Sequence, residues 1–391
     1  MSLAPPKKIR LTNSIFLTGT ALLTVTAVPA YIWAYGLDWF QVALFFSFFI
    51  ATGLSITLGY HRLFSHLSFK AKWPVKFSTL VFGAATFENS ALCWCSDHRA
   101  HHKHVDHDQD PYNINNGFFH AHMGWIMFKH QPSTDFENVK DLAQDRLVMW
   151  QHRNYVAIAL VASFLIPTLL GFLWNGWVGA LGAFLIGGVA RVVAVHHMTF
   201  CINSFCHYLG SQPYSTKHSA RDSAIMALFT FGEGYHNFHH EFQSDYRNGV
   251  KAWQFDPTKW TIWALSKLGL ASDLRRVPEE RILRAEIHQH QQAITERIDN
   301  HSLVLPESLQ TLWQSAHDSV QEAVSNWEEQ KKQYKEAARK QVQESGKKLD
   351  ELRTHVSEAT QQLKVALEEW REAQREIHQQ LSVLANAGAA A

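Results

Sequence analysis

Cysteine is scarce in this 391-residue chain. Four residues, Cys93, Cys95, Cys201 and Cys206, are irregularly placed, too few and too scattered for a disulfide framework, and they read as reduced thiols. Net charge is nearly absent as well: 36 basic residues face 35 acidic ones. That excludes the basic footprint of a nucleic-acid partner. The first apolar stretch follows a basic start, MSLAPPKKIR, and ends without a small-residue cleavage site. It is therefore read as a retained membrane anchor and not a cleaved leader.

What the chain has instead is apolar length. Segments 14–35, 40–58, 155–174 and 177–199 each approach the ~20 residues that cross a bilayer as helix. They pair into two hairpins whose connections carry no Lys or Arg. The opposite flanks carry Lys7, Lys8 and Arg10, then Lys70, Lys72 and Lys76, then Arg146 and Arg153. The positive-inside rule places both termini and both large polar segments in the cytoplasm, with the bacterial inner (cell) membrane as the expected location. Trp39, Trp174 and Trp177 fit an interfacial belt. Segment 73–92, interrupted by Glu88 and Asn89, reads as an interfacial or re-entrant helix. Arg191, His196 and His197 fall near the cytoplasmic end of the fourth span, where an ionisable residue reads as functional, or, for Arg191, as one that snorkels to the headgroups.

Near residue 279 the composition turns polar, dividing a membrane domain, 1–278, from an extension, 279–391. From about Val320 the apolar positions Leu349, Leu352, Val356, Ala359, Leu363, Leu367, Trp370, Ile377, Leu381 and Leu384 keep a 3-4 spacing. This predicts one long amphipathic helix with coiled-coil character. It would pack on itself or the domain, dock a partner, or support self-association. The fold class expected is all-α: four transmembrane helices in two hairpins, a cytoplasmic helical cap and the helical tail.

Histidine is the surplus residue, with 24 copies. Its dense groups all fall on the cytoplasmic side: HRLFSH (His61, His66), HRAHH (His98, His101, His102), NSFCH (Asn203, His207) and HNFHH (His236, His239, His240). In HxxHH the first residue and those at i+3 and i+4 share a helical face, ~5–6 Å apart at Cβ. Adjacent histidines point ~100° apart, so a pair can serve two metals. His61 and His66, at i+5, would diverge on a continuous helix, which suits ligands to different ions. Nine nitrogen donors with almost no carboxylate favour transition metals over Mg²⁺ or Ca²⁺. A zinc site closes with three or four ligands, whereas two redox-active irons account for nine. Asp97, Asp106, Asp110, Glu233 and Glu241 are candidates to orient the imidazoles, with Glu233 and Asp97 favoured. The scattered histidines, His104, His107, His120, His122, His152 and His218, read as ordinary.

Taken in order, GYHRLFSH, DHRAHHKHVDHDQDPYN, GFFHAHMGW, NSFCHYLG and GEGYHNFHHEF resemble the membrane fatty-acid desaturases, in particular the acyl-CoA Δ9 (stearoyl-CoA type) group. The resemblance covers roughly residues 15–260. It implies one iron on His61, His98, His102 and His236, with Asn203 reaching it through water, and a second on His66, His101, His207, His239 and His240. It further implies O2 as co-substrate, two electrons, and a cis double bond introduced into a long-chain acyl-CoA. Asn89, Trp94 and Lys129 match substrate-binding positions. Ser96, Asn115, Asn116, Lys129 and His130 stand where animal members are more basic, which weakens the grip on CoA phosphates and keeps glycerolipid- or carrier-bound acyl chains as alternatives. No HPGG motif occurs, so a separate electron donor is expected: a ferredoxin, a reductase or cytochrome b5. A histidine-box membrane hydroxylase is the nearest rival, and a metal transporter a more distant one. A transporter would spread its ligands inside the spans.

Overall fold

A computed structural model of the chain describes residues 8–129, 136–300, 306–340 and 347–388; Lys7 and His130, weighed above, lie outside them. The described residues are mostly helical, with two short antiparallel strand pairs, Lys8–Ile9 with Phe128–Lys129 and Lys70–Ala71 with Ala271–Ser272. It divides into two units, Met1–Val277 and Pro278–Ala391.

Three helical runs of the first unit are long and apolar enough to cross a membrane: α1, Leu11–Tyr35; α2, Trp39–Ser65; and a third run, Arg146–His207. Between α1 and α2 the chain turns at Gly36 (φ 78°). A capping box then starts α2: Asp38 Oδ1 accepts from the Phe40 amide at 2.9 Å, and Gln41 Oε1 accepts from the Asp38 amide at 3.2 Å, satisfying otherwise orphaned donors. The third run, at 62 residues, would extend about 93 Å if straight. It is broken at Asn175 (φ −147°) and Gly176 (φ 52°), giving α5 (146–174) and α6 (177–207). The two arms fold back on each other through glycine: a Cβ on Gly171 would lie 2.3 Å from Gly179 O. Small residues at such a crossing let helix backbones touch. The hairpin tips also meet, with Trp174 Nε1 donating to Asp38 Oδ2 at 2.6 Å and its ring stacked on Phe40 at 4.8 Å.

Two features deliver the site. The last stretch of α2, Ser55–Ser65, is π-helical. Between α3 (Trp73–Ala84) and α4 (Ala91–His104), the turn holds Phe87 (φ 61°) and Asn89 (φ 81°) in the left-handed region. At 12 residues, α3 is too short to cross a bilayer. Arg191 does not snorkel. It is buried, donating from Nη1 to Ala85 O at 2.7 Å, and so pins the α3–α4 turn to α6. Short helices α7 (Ala224–Phe229), α8 (His236–Glu241) and α9 (Pro257–Lys267) complete the unit.

The second unit holds α10 (Glu279–Asn300), α11 (Glu307–Lys340) and α12 (Lys347–Gly388). The single helix expected from Val320 to Leu384 is therefore two helices. Trp327 Nε1 donates to Thr360 Oγ1 at 3.1 Å, while Leu309 clusters with Ile377 and Leu381, so α11 and α12 run antiparallel. Ile287 and Ile294 of α10 enter the same apolar clusters. The 3-4 seam at Ala359, Leu363, Trp370, Ile377 and Leu381 is buried inside this unit and not presented for self-association. Residues 278–391 expressed alone should accordingly be helical and monomeric by circular dichroism and sedimentation. Ile377→Ala should lower the stability of that fragment in urea by about 2–5 kcal/mol, the usual cost of a core cavity.

Candidate metal centre

Nine histidines from four stretches form two groups, and within each group the ligand atoms lie within 4.8 Å of one another. His61, His66, His98, His102 and His239 make one; His101, His207, His236 and His240 make the other. Helix geometry explains the allotment. Adjacent pairs, His101/His102 and His239/His240, split between the groups because neighbours on a helix diverge. His236 and His240, at i and i+4, share a face, and their Nε2 atoms lie 3.1 Å apart.

This grouping differs from the allotment implied by resemblance at three positions: His66 and His239 lie in the five-histidine group, and His236 in the four. The cause at His66 is the π-helix, in which i and i+5 are bonded neighbours. The His66 amide donates to His61 O at 3.1 Å, and the two rings sit 4.8 Å apart. Asn203 lies one turn before His207 of the four-histidine group.

The donors are aimed inward. His61 Nδ1 lies 2.8 Å from Glu233 Oε2, and His101 Nδ1 lies 2.8 Å from Asp110 Oδ1. His207 Nδ1 meets Ser219 Oγ at 2.7 Å, whose hydroxyl in turn donates to Asp106 Oδ1 at 2.5 Å. With those Nδ1 protons engaged, Nε2 presents a lone pair. Yet Nε2 meets Nε2 at 2.8 Å (His66–His98), 2.9 Å (His61–His239), 3.0 Å (His102–His239) and 3.1 Å (His207–His236). Donor atoms that converge this closely in a buried space fit two metal ions, one for each group. Burial, reinforced by neighbouring imidazoles, holds His98, His102, His236, His239 and His240 well below the ordinary histidine range, which keeps them neutral and able to ligate.

Glu233 is itself fixed. Arg62, fully buried, contacts Glu233 Oε1 at 2.8 Å and Asp256 Oδ2 at 3.1 Å, and Asn248 donates to Glu233 Oε2 at 2.7 Å. Burial alone would raise the Glu233 pKa, but Arg62 and His61 outweigh it and hold the carboxylate below its ordinary range. The GEGYHN glycines serve this corner: Gly232 takes φ +96°, and a Cβ on Gly234 would lie 2.0 Å from Ala227 N.

Asp97, favoured above as an orienting carboxylate, does not play that part. As the neighbour of His98 on α4 it points away from that ring, and it lines a cavity of about 390 Å³ instead. Burial raises its pKa to about 6. Asn89 and Trp94 line the same cavity, together with Phe16, Glu88, Thr199 and Asn203. Trp94 stacks on His98 at 4.8 Å, and its Nε1 donates to Glu88 Oε2 at 3.4 Å. Thr199 Oγ1 donates to Glu88 Oε1 at 2.9 Å. Lys129 is placed by backbone pairing with Lys8. Glu241 makes no contact with the nine rings. Sequence reasoning missed Arg62, Ser219 and Glu88; of these only Arg62 carried a signal, as a charge inside HRLFSH.

Membrane-type helices that carry buried, metal-ready histidine clusters beside an internal cavity define a class of membrane metalloprotein. The model of the fatty acid desaturase family matches residues 37–270, and the chain belongs to that family. It is 43% identical to "Acyl-CoA desaturase 1" of Saccharomyces cerevisiae over 260 residues, 66% of this chain and 50% of that protein. It is 44% identical to "Probable acyl-CoA desaturase" of Schizosaccharomyces pombe over 249 residues, 63% and 51% of the two chains. It is 33% identical to human "Stearoyl-CoA desaturase" over 271 residues, 67% and 72%. The chain thus spans about half the length of the two yeast relatives.

Two outcomes check the centre. Asp110→Asn, which removes the anion behind His101, should weaken metal retention about 10–100-fold in chelator competition. In metal-stripped protein, histidines depressed below their unfolded value of 6.5 bind fewer protons folded than unfolded. Stability should therefore be fully present above that value and be lost as pH falls through it, visible as a falling melting temperature between pH 7.5 and about 5.5.

Proposed function

We propose that this chain is a membrane acyl-CoA Δ9 desaturase that holds two irons on its nine clustered histidines. The observation that carries the reading is the shared wall: Trp94 and Asn203 line the cavity, one stacked on a clustered histidine and the other a turn before His207. Four helices, α1, α2, α5 and α6, would cross the bilayer, with both termini and the centre on the cytoplasmic face of a bacterial inner membrane. Electrons would arrive from a separate donor, such as a ferredoxin, a reductase or cytochrome b5. Bound there, the irons supply O2-dependent oxidation of an unactivated methylene pair, with oxygen leaving as water.

The protein's own contribution is positioning and dryness. The relatives named for acyl-CoA and stearoyl-CoA support a fatty acyl substrate, whose chain would lie in the cavity between Phe16, Phe200 and Trp94. Glu88 would otherwise charge that wall, but burial raises its pKa to about 8, so at neutral pH it is mostly a neutral acid. The Glu88 bridge from Thr199 to Trp94 ties α6 to α4 where the chain would pass. Asn203 would reach the four-histidine ion through water.

Among the described residues that line the cavity, Arg10 is the one strong cation, and this favours a second reading in which the acyl group is carried by a glycerolipid or a carrier protein. The purified protein, offered stearoyl-CoA, stearoyl-phospholipid or stearoyl carrier protein with a reduced donor, separates these. The primary test is lipid analysis of a desaturase-deficient strain expressing the chain, with double bonds located by mass spectrometry. A new Δ9 monoene and about two irons per chain are expected; a hydroxy acid or unchanged lipids would overturn the reading. Rising pH should raise KM as Glu88 ionises near pH 8, and Glu88→Gln should abolish that dependence in the same assay.

A further inference from the structure

Exposed apolar side chains in the first unit are not confined to the long helices. On α9 the outward positions Trp260, Trp263, Ala264 and Leu268 are exposed at helical spacing, whereas the inward face buries Thr258, Lys259 and Ile262. The buried Lys259 ammonium donates to the Gly249, Lys251 and Gln254 carbonyls. A helix with its lysine inside and its tryptophans outside inverts the pattern of a water-facing one. α7 repeats the inversion: Ile225, Leu228 and Phe229 are 70%, 59% and 61% exposed, while Ala227 is buried.

The level at which these helices sit follows from their contacts with α2. Phe231, just past α7, packs its ring at a tilt against Phe49, with centroids 5.6 Å apart. It also fills the space beside Gly53, where a Cβ would come within 2.7 Å of its ring. Thr258, at the start of α9, accepts from Thr57 at 2.7 Å and donates to Phe231 O at 2.9 Å. Phe49 precedes the end of the apolar stretch 40–58 by nine residues, which is about 13 Å along a helix. A segment packed at that level lies beside hydrocarbon. Lys267 lies with Nζ 5.6 Å from the Trp263 ring centroid, a cation–aromatic pairing suited to the headgroup boundary.

We infer that α7 and the outer face of α9 form a collar immersed in the cytoplasmic leaflet, with acyl chains against Leu228, Phe229 and Trp263 and lipid headgroups at Lys267. The collar continues the lipid-facing surface of α2. It rests on the spanning arrangement proposed above and is independent of the reaction catalysed.

Site-directed spin labelling of the full chain in lipid nanodiscs tests it, in a background carrying Cys93→Ala and Cys201→Ala. Nitroxides at Leu228→Cys and Trp263→Cys are compared with Leu22→Cys within α1 and Lys251→Cys on the cap. Expected is a ratio of oxygen to nickel-chelate accessibility at 228 and 263 that matches position 22 and exceeds position 251. A chelate-dominated ratio at 228 or 263, with position 22 lipid-like, overturns the collar alone. Shelter from both agents would mean that protein, such as a second copy, covers the face, and also overturns it. A chelate-dominated ratio at position 22 overturns the spanning arrangement and the collar together.

Discussion

Nine imidazoles turned toward one another organise the first unit. Glu233, Asp110 and Ser219 hold His61, His101 and His207 from behind, and the ligand atoms of each group gather within 4.8 Å of one another. Cations between the rings would turn that convergence into coordination. The surrounding fold is therefore organised around supplying fixed anions behind the rings and keeping water out in front of them.

That demand accounts for a buried charge network which is costly on its own. Arg62, Glu233 and Asp256 are fully enclosed, and desolvating such a set offsets most of its attraction. The return is rigidity at His61: Glu233 is gripped by Arg62 and Asn248, so the imidazole it orients cannot turn away. The same logic runs through Asp106, Ser219 and His207, where a hydroxyl relays the orientation because the carboxylate stands one atom group too far back. Asp256 also accepts from the Lys259 amide at the start of α9. The network thus links the metal corner to the helix packed against α2.

The parts legible in the sequence were those written in local chemistry. Apolar runs of bilayer length and histidine groups at i, i+3 and i+4 can be read without tertiary knowledge, because helical periodicity alone fixes which residues share a face. The departures have one cause each. His61 and His66 looked divergent because an α-helix was assumed, and the π-helical turns of Ser55–Ser65 close that gap. Asp97 looked like a partner because it adjoins His98, yet adjacency on a helix means divergence; Asp110, nine residues past His101, arrives only through the turn after α4. The tail's 3-4 seam was visible, but a periodic pattern does not say whether its partner is another chain or the next helix.

Helix α4 shows why cavity and metal corner must be considered together. Its successive residues alternate between the two: Trp94 and Asp97 line the cavity, while His98, His101 and His102 enter the histidine groups. One helix therefore sets the distance from the cavity to the donors, and its start is fixed by the strained Phe87–Asn89 turn. That turn is held at several points, by Arg191 on Ala85 O, Thr199 on Glu88 and Tyr155 Oη on the Asn89 amide. Left-handed φ values at Phe87 and Asn89 cost of order 1–3 kcal/mol each and persist only where the surroundings over-determine them. Here the restraints come from α5 and α6, helices that otherwise face lipid. Membrane packing thus decides where α4 begins, and α4 decides how close the cavity lies to the metal-binding rings.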